Sequence, residues 1–214
     1  MKRDFFTLEQ IGEEYALYAE ELRRGTPTAV FGVSDSLKYL LAGLTPYPVV
    51  YITADGVSAQ KAAENIAAIS GKKPAVLAAK DEVLLHRKAL SKDSLFKRID
   101  GIYALQKGGE VVTAEISALL QLFPKKLPSI TFTENEEYDF TQLPKDLVAM
   151  GYVRTFEVES RGTFALRGDI LDIYPVGAEH PVRVDFFGDT VEKIKPYDIA
   201  TGNRLPGIQQ ITVL

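Results

Sequence analysis

The chain has no cysteine among its 214 residues. That excludes disulfides, thiolate metal sites and a cysteine nucleophile, and it fits a reducing compartment. Histidine is almost as scarce. His86 and His180 stand far apart in sequence, so a histidine-rich metal site is excluded. No G-x-S-x-G stretch supports a Ser-His-Asp arrangement. An excess of positive charge is also missing, with 25 Lys and Arg against 29 Asp and Glu. A strongly basic nucleic-acid binder is therefore not indicated, although a local patch is compatible with this balance. No apolar run reaches the roughly 18 residues of a membrane span. The start, MKRDFFTLEQ, lacks an apolar signal core, so cytoplasm is the default location. Internal repeats and low-complexity segments are absent too.

What remains is a soluble globular composition, 46% hydrophobic and 25% charged, enough for one large domain or two small ones. In the first half, helical and strand-like segments alternate. Thr7 to Gln10 reads T-x-x-Q, a capping box. Leu8, Ile11, Tyr15, Leu17, Tyr18 and Leu22 follow at roughly helical spacing, closed by Arg23, Arg24 and Gly25. Thr28–Val33 predicts a strand and Ser34–Gly43 a helix. Val49–Thr53 predicts a strand, and the alanine-rich Ser58–Ser70 a helix ending at Gly71. Ala75–Ala79 predicts a strand and Leu95–Leu105 a helix capped by Ser91 or Asp93. Glu110–Thr113 and Ala114–Leu122 complete the series. Such alternation argues for a parallel sheet with covering helices.

Pro124-Lys125-Lys126-Leu127-Pro128 breaks the pattern, and the boundary is placed there, giving domains of residues 1–125 and 126–214. Beyond it one helix, Leu143–Met150, is closed by Gly151. The rest is hairpin-like, with turn signals at Ser160-Arg161-Gly162, Val176-Gly177-Ala178 and Gly188-Asp189. Gly168-Asp169 is either a two-residue turn or a bulge. The fold class is α/β: a parallel sheet with helices, followed by a smaller α+β domain with an antiparallel sheet.

The junction Gly32-Val33-Ser34-Asp35-Ser36-Leu37-Lys38-Tyr39 has the place of a phosphate loop but not its chemistry. G-x-x-x-x-G-K-[ST] needs a second glycine where Leu37 stands and a Mg²⁺-ligating hydroxyl where Tyr39 stands. Asp35 adds negative charge where phosphates would sit. An ordinary strand-to-helix turn with a solvated Lys38 is the simpler reading. Asp81-Glu82 resembles an acidic Mg²⁺ motif, but without a phosphate cradle it reads as an acidic helix opening. The pairs Arg23-Arg24, Lys72-Lys73 and Lys125-Lys126 read as solvated faces or linker, because no aromatics interleave them. No cofactor is expected.

The most regular stretch runs from Tyr152 to Phe187. Val182, Val184 and Phe186 alternate with Arg183, Asp185 and Phe187, so the first three face a core and the others face outward. The same parity buries Phe164 and Leu166 and turns Arg167 out. Exposed Arg beside exposed Phe is the composition of a binding hot spot. Arg167 could instead pair across strands with Asp169 or Asp185, and Phe187 could pack under a loop. Arg183 and Phe187 both point away from the core, so removing either should leave the fold intact, whereas Val184→Asp should not.

Phe164-Ala165-Leu166-Arg167-Gly168-Asp169-Ile170-Leu171-Asp172-Ile173-Tyr174-Pro175, followed by Pro181-Val182-Arg183-Val184-Asp185-Phe186-Phe187-Gly188-Asp189, resembles domain 2 of the UvrB/Mfd family of bacterial nucleotide-excision repair. Residues up to about Phe123 resemble the first half of the family's domain 1, which is similar to a helicase RecA-like domain. UvrB has an intact phosphate loop and a long Tyr-rich hairpin. Here the loop is degenerate, and Ala79 to Leu95 leaves no room for the hairpin, so the resemblance is to the Mfd branch, the transcription-repair coupling factors. The chain stops about where the family's chain returns to finish domain 1, so an N-terminal fragment is expected.

The resemblance implies a non-enzymatic module that binds UvrA through Arg167, Arg183 and Phe187. Contacts to RNA polymerase and DNA would fall to regions outside this chain, and the remaining Mfd domains would be further partners. The rival is a UvrB-type ATPase or helicase domain; a weaker rival is a plain DNA-binding domain.

Overall fold

The structure is a computed structural model that describes residues 8–45, 48–80, 92–108 and 111–214. Thr7, Asp81-Glu82, His86, Ser91, Glu110 and most of the interval from Ala79 to Leu95 lie outside the described residues. Contacts separate two compact units, residues 1–124 and 125–214.

In the first unit, α1 (Leu8–Ile11) and α2 (Glu13–Arg23) replace the single predicted helix, with Gly12 between them in an extended conformation. At the end of α2, Gly25 takes φ 69° and the Thr26 N–H returns to the Glu21 carbonyl, a glycine-dependent C-terminal closure. Leu8, Ala19 and Leu41 pack together beneath Tyr15 and Tyr18. Among the described residues the sheet has three parallel strands, β1 (Val49–Thr53), β2 (Ala75–Leu77) and β3 (Val111–Glu115), in the order β1-β3-β2. Parallel pairing needs crossovers. The helices α3 (Leu37–Leu44), α4 (Gly56–Ser70), α5 (Lys92–Lys107) and α6 (Ile116–Leu119) alternate with the strands.

Central β3 is buried at four successive positions, Val111 to Ala114, so both its faces are covered. The helix α4 packs on all three strands and α5 on β2 and β3. Asp55 caps α4 by accepting from the Ser58 N–H at 2.8 Å, and Gly71 at φ 67° closes it. The predicted start at Ser58 is late because the capping residue lies three positions earlier. Gly101 lets α5 approach β2 closely: a Cβ there would sit 2.6 Å from Leu77 Cα. Buried Arg98 donates to the Ala78 and Leu122 carbonyls, and desolvation lowers its pKa.

The predicted strand Thr28–Val33 is not one. These residues form no ladder, and Phe31 is 90% exposed. Among the described residues β1 is an edge with no partner on its far side. Apolar side chains without a neighbouring strand do not make a strand.

In the second unit, β4 (Ile130–Thr133) pairs antiparallel with β10 (Gln210–Val213). The helix α7 (Leu143–Ala149) is followed by Gly151 at φ 96°. A five-stranded sheet follows in the order β5 (Val153–Arg154), β6 (Thr163–Arg167), β7 (Ile170–Ile173), β8 (Val182–Phe187) and β9 (Thr190–Pro196). All its pairings are antiparallel except the short β5–β6 contact. Phe164, Leu171, Ile173, Val182, Val184 and Ile194 are fully buried on one face, and Phe132 with them in the core. The Phe186 ring meets Phe132 edge-on at 6.1 Å and Phe140 at 4.8 Å. Gly168-Asp169 is a two-residue turn: Arg167 pairs with Ile170, and Gly168 has φ 57°. Gly188-Asp189 repeats the arrangement, with Phe187 opposite Thr190 and Gly188 at φ 61°. Positive φ at the first central residue suits a turn that follows the strand twist.

Candidate functional site

The outer face of the five-stranded sheet carries the predicted site residues. Strand register sets Ala165, Asp172, Arg183 and Lys195 in one row across β6 to β9, and Arg167, Ile170, Asp185 and Lys193 in the next. Phe187 ends β8 on the same parity as Arg183, four residues away, or about 13 Å along the strand.

The three predicted residues have different surroundings. Phe187 is 76% exposed at the hairpin tip, and among the described residues no loop covers it. Arg167 is exposed, donates to the Phe156 carbonyl at 3.1 Å and stacks over the Phe156 ring at 5.5 Å. Its nearest carboxylate is Glu157 at 3.9 Å, so neither Asp169 nor Asp185 is its partner. Asp185 is taken by Lys195 at 3.2 Å. Arg183 is only partly exposed. Its Nε and Nη2 donate to the two oxygens of Asp172 at 2.7 and 2.8 Å, a bidentate fork across neighbouring strands. That hydrogen-bonded carboxylate raises the Arg183 pKa. Asp172 is 3% exposed, so its charge depends on this partner.

The expectation that Arg183 can be removed without harm to the fold is therefore corrected: the outward guanidinium also neutralises a nearly buried carboxylate. Among the described residues the Arg183 Nη1 makes no hydrogen bond. Sequence reading missed Asp172, Phe156 and Tyr197. Asp172 carries a signal, a lone acid between Leu171 and Ile173, but its register with Arg183 passes through the long loop from Tyr174 to Pro181. Phe156, 88% exposed, sits in a loop that strand parity does not reach.

The phosphate-loop positions lie in the first unit. Lys38 is not simply solvated: its ammonium pairs with Asp35 at 2.9 Å and lies over the Tyr39 ring at 5.1 Å. The bond lowers the Asp35 pKa and raises that of Lys38, so both charges are satisfied locally. Tyr39 packs against Tyr51 with ring centres 5.9 Å apart. The strand that would precede a phosphate loop is missing at Thr28–Val33. Among the described residues no group of three or more His, Cys, Asp or Glu is arranged to hold a metal, and no helix is long and apolar enough to cross a membrane.

This five-stranded sheet and its β4–β10 neighbour coincide with a known family. Residues 130–214 match the UvrB interaction domain. Similarity to transcription-repair-coupling factors extends further. The Myxococcus xanthus protein is 27% identical over 95% of this chain, and the Mycobacterium tuberculosis protein 31% identical over 78%. The UvrABC system protein B of Clostridium botulinum is 35% identical over 48% of it. The resemblance to the UvrB/Mfd family is thereby borne out, with the coupling factors similar over the greater part of the chain. The chain spans only 18% of the Myxococcus protein's length and 14% of the Mycobacterium protein's.

Proposed function

We propose that this chain is a UvrA-recruiting module of a transcription-repair coupling factor, docking through the outer face of the UvrB interaction domain match. The observation that carries this is Phe187, an aromatic ring left 76% exposed at the end of a strand whose other apolar side chains are buried. Arg183 on the same strand face and Arg167, with Phe156 beneath it, add cations and a second exposed ring. An aromatic anchor flanked by Arg buries apolar area while the guanidinium takes a carboxylate. Linkage to stalled RNA polymerase belongs to this reading through similarity to the coupling factors, as do further domains of the parent protein.

Titration with the UvrA of the same cell tests it. Phe187→Ala should cost about thirtyfold in affinity, the size of a truncated aromatic anchor. Its stability should stay within about 0.5 kcal/mol of the parent, since the ring packs on little. A folded Phe187→Ala that binds UvrA as well as the parent would remove the docking face from the reading.

Similarity to the UvrABC system protein B raises the rival, a nucleotide-binding ATPase module. Against it stand the Asp35–Lys38 pair, Leu37 and Tyr39 in the phosphate-loop positions, and the missing strand before them. We therefore propose a module that neither binds nor hydrolyses ATP. Saturable micromolar ATP binding by calorimetry, lost in Lys38→Ala, would decide for the rival.

A further inference from the structure

Beside Arg183 the outer face of the sheet opens into a pocket of about 170 Å³, lined by Arg183, Lys195, Tyr197, Gly202 and Arg204. We propose that this pocket receives one carboxylate side chain of the docking protein, with the Arg204 guanidinium and the Tyr197 hydroxyl as its donors. The inference rests on the docking reading above and names the residue chemistry the face selects.

Unspent donors are the first ground. Arg183 forks onto Asp172, and Lys195 is held by Asp185. Arg204 and Tyr197 line the pocket, and the guanidinium of the one and the hydroxyl of the other have no hydrogen bond or ion pair among the described residues. Burial, helped by the nearby Asp172 charge, pushes the Tyr197 pKa up to about 12, so the hydroxyl keeps its proton at neutral pH and can donate it.

Charge is the second. Three cations line or border the space and two carboxylates answer two of them, leaving one positive charge. One carboxylate balances that. A nucleic-acid backbone would call for a row of unanswered cations. Size is the third: pockets for free small molecules run to about 300–1,000 Å³, and this one suits the end of a side chain.

The wall is also fixed before anything binds. Tyr197 and Arg204 face each other in an antiparallel bridge. The Asp198 carboxylate ties the loop between them by accepting from the Ala200 and Thr201 N–H groups, and the Gly202 N–H donates to the Asp198 carbonyl at 2.8 Å. Donors held in place by such a loop lose little freedom when a partner arrives.

The experiment is a titration of UvrA with Arg204→Ala, Arg204→Glu and Tyr197→Phe, with Phe187→Ala alongside and duplex DNA as a second titrant. Thermal melts confirm folding; the Arg204 side chain makes no hydrogen bond or ion pair among the described residues, its bridge to Tyr197 is a backbone one, and Tyr197→Phe keeps the ring. Arg204→Ala should weaken UvrA binding about tenfold, the loss of a charge-assisted pair, Arg204→Glu more, and Tyr197→Phe several-fold. If the three variants bind like the parent while Phe187→Ala fails, the pocket inference is overturned and the docking reading stands. If Phe187→Ala binds like the parent as well, the docking reading falls and the pocket assignment with it. If Arg204→Glu loses affinity for DNA and not for UvrA, the pocket reads phosphate and the inference is overturned.

Discussion

β3 of the first unit and β8 of the second are both strands inside a sheet, yet they end as opposite kinds of surface. β3 is buried on both faces from Val111 to Ala114, so its side chains serve packing alone. β8 buries Val182, Val184 and Phe186, leaves their alternates Arg183 and Asp185 half-buried and exposes Phe187. A two-face-buried parallel strand has nothing to offer a partner, whereas a one-face-buried antiparallel strand presents a rigid second row of side chains. The difference agrees with the proposed docking chemistry lying on the second unit's sheet rather than on β3.

The sharpest way to break this comparison is to invert the buried row. Val184→Asp sets a carboxylate among Leu171, Ile194 and their neighbours with no partner, costing about 4 kcal/mol or more, and should unfold the second unit. Near-ultraviolet circular dichroism and limited proteolysis would show the loss. Survival of the first unit's protease resistance in that variant would mark the two as independently folding.

In the first unit the matching test is steric. Gly101→Ala puts a methyl 2.6 Å from Leu77 Cα, where backbone and not a flexible side chain is the obstacle. It should cost about 3 kcal/mol in chemical denaturation and leave UvrA binding to the second unit unchanged.

Arg183→Ala sharpens the comparison on the exposed row itself. It strands the nearly buried Asp172 and should cost about 2 kcal/mol, less than a fully buried pair because a third of the Arg183 side chain is open to water. Arg183→Ala with Asp172→Ala in the same chain should recover part of that stability while still binding UvrA weakly. A destabilisation no greater than that of Phe187→Ala would show that the fork contributes nothing.

Acid should have the smallest effect and should touch both units. Asp55, Asp139 and Asp198 each accept N–H or hydroxyl bonds that hold their carboxyls below the ordinary value. A depressed native pKa gives stability that is present above the unfolded value, near pH 4, and lost as pH falls through the native one. Thermal midpoints followed from pH 5 to pH 3 should therefore fall, and Asp198→Asn should flatten the second unit's share of that fall.

The sequence by itself determined the class of fold, because alternation period and chain punctuation are local. Gly71, Gly151 and Gly188 closed the elements where expected, since positive φ is a demand of the backbone at that residue alone. Parity named the inward row Val182, Val184 and Phe186 and set Arg183 and Phe187 outward, because a strand's side chains alternate whatever lies beside it. Tertiary structure decided everything that needs a second strand. It denied Thr28–Val33 a ladder and so its strand, and it fixed Gly168-Asp169 as a turn. Register brought Asp172 opposite Arg183, turning one outward cation into half of a fork, and the loop after β9 set Arg204 beside Tyr197. A side chain's direction follows from its own backbone, but its partner follows from register between segments far apart in the chain, and no local pattern carries that.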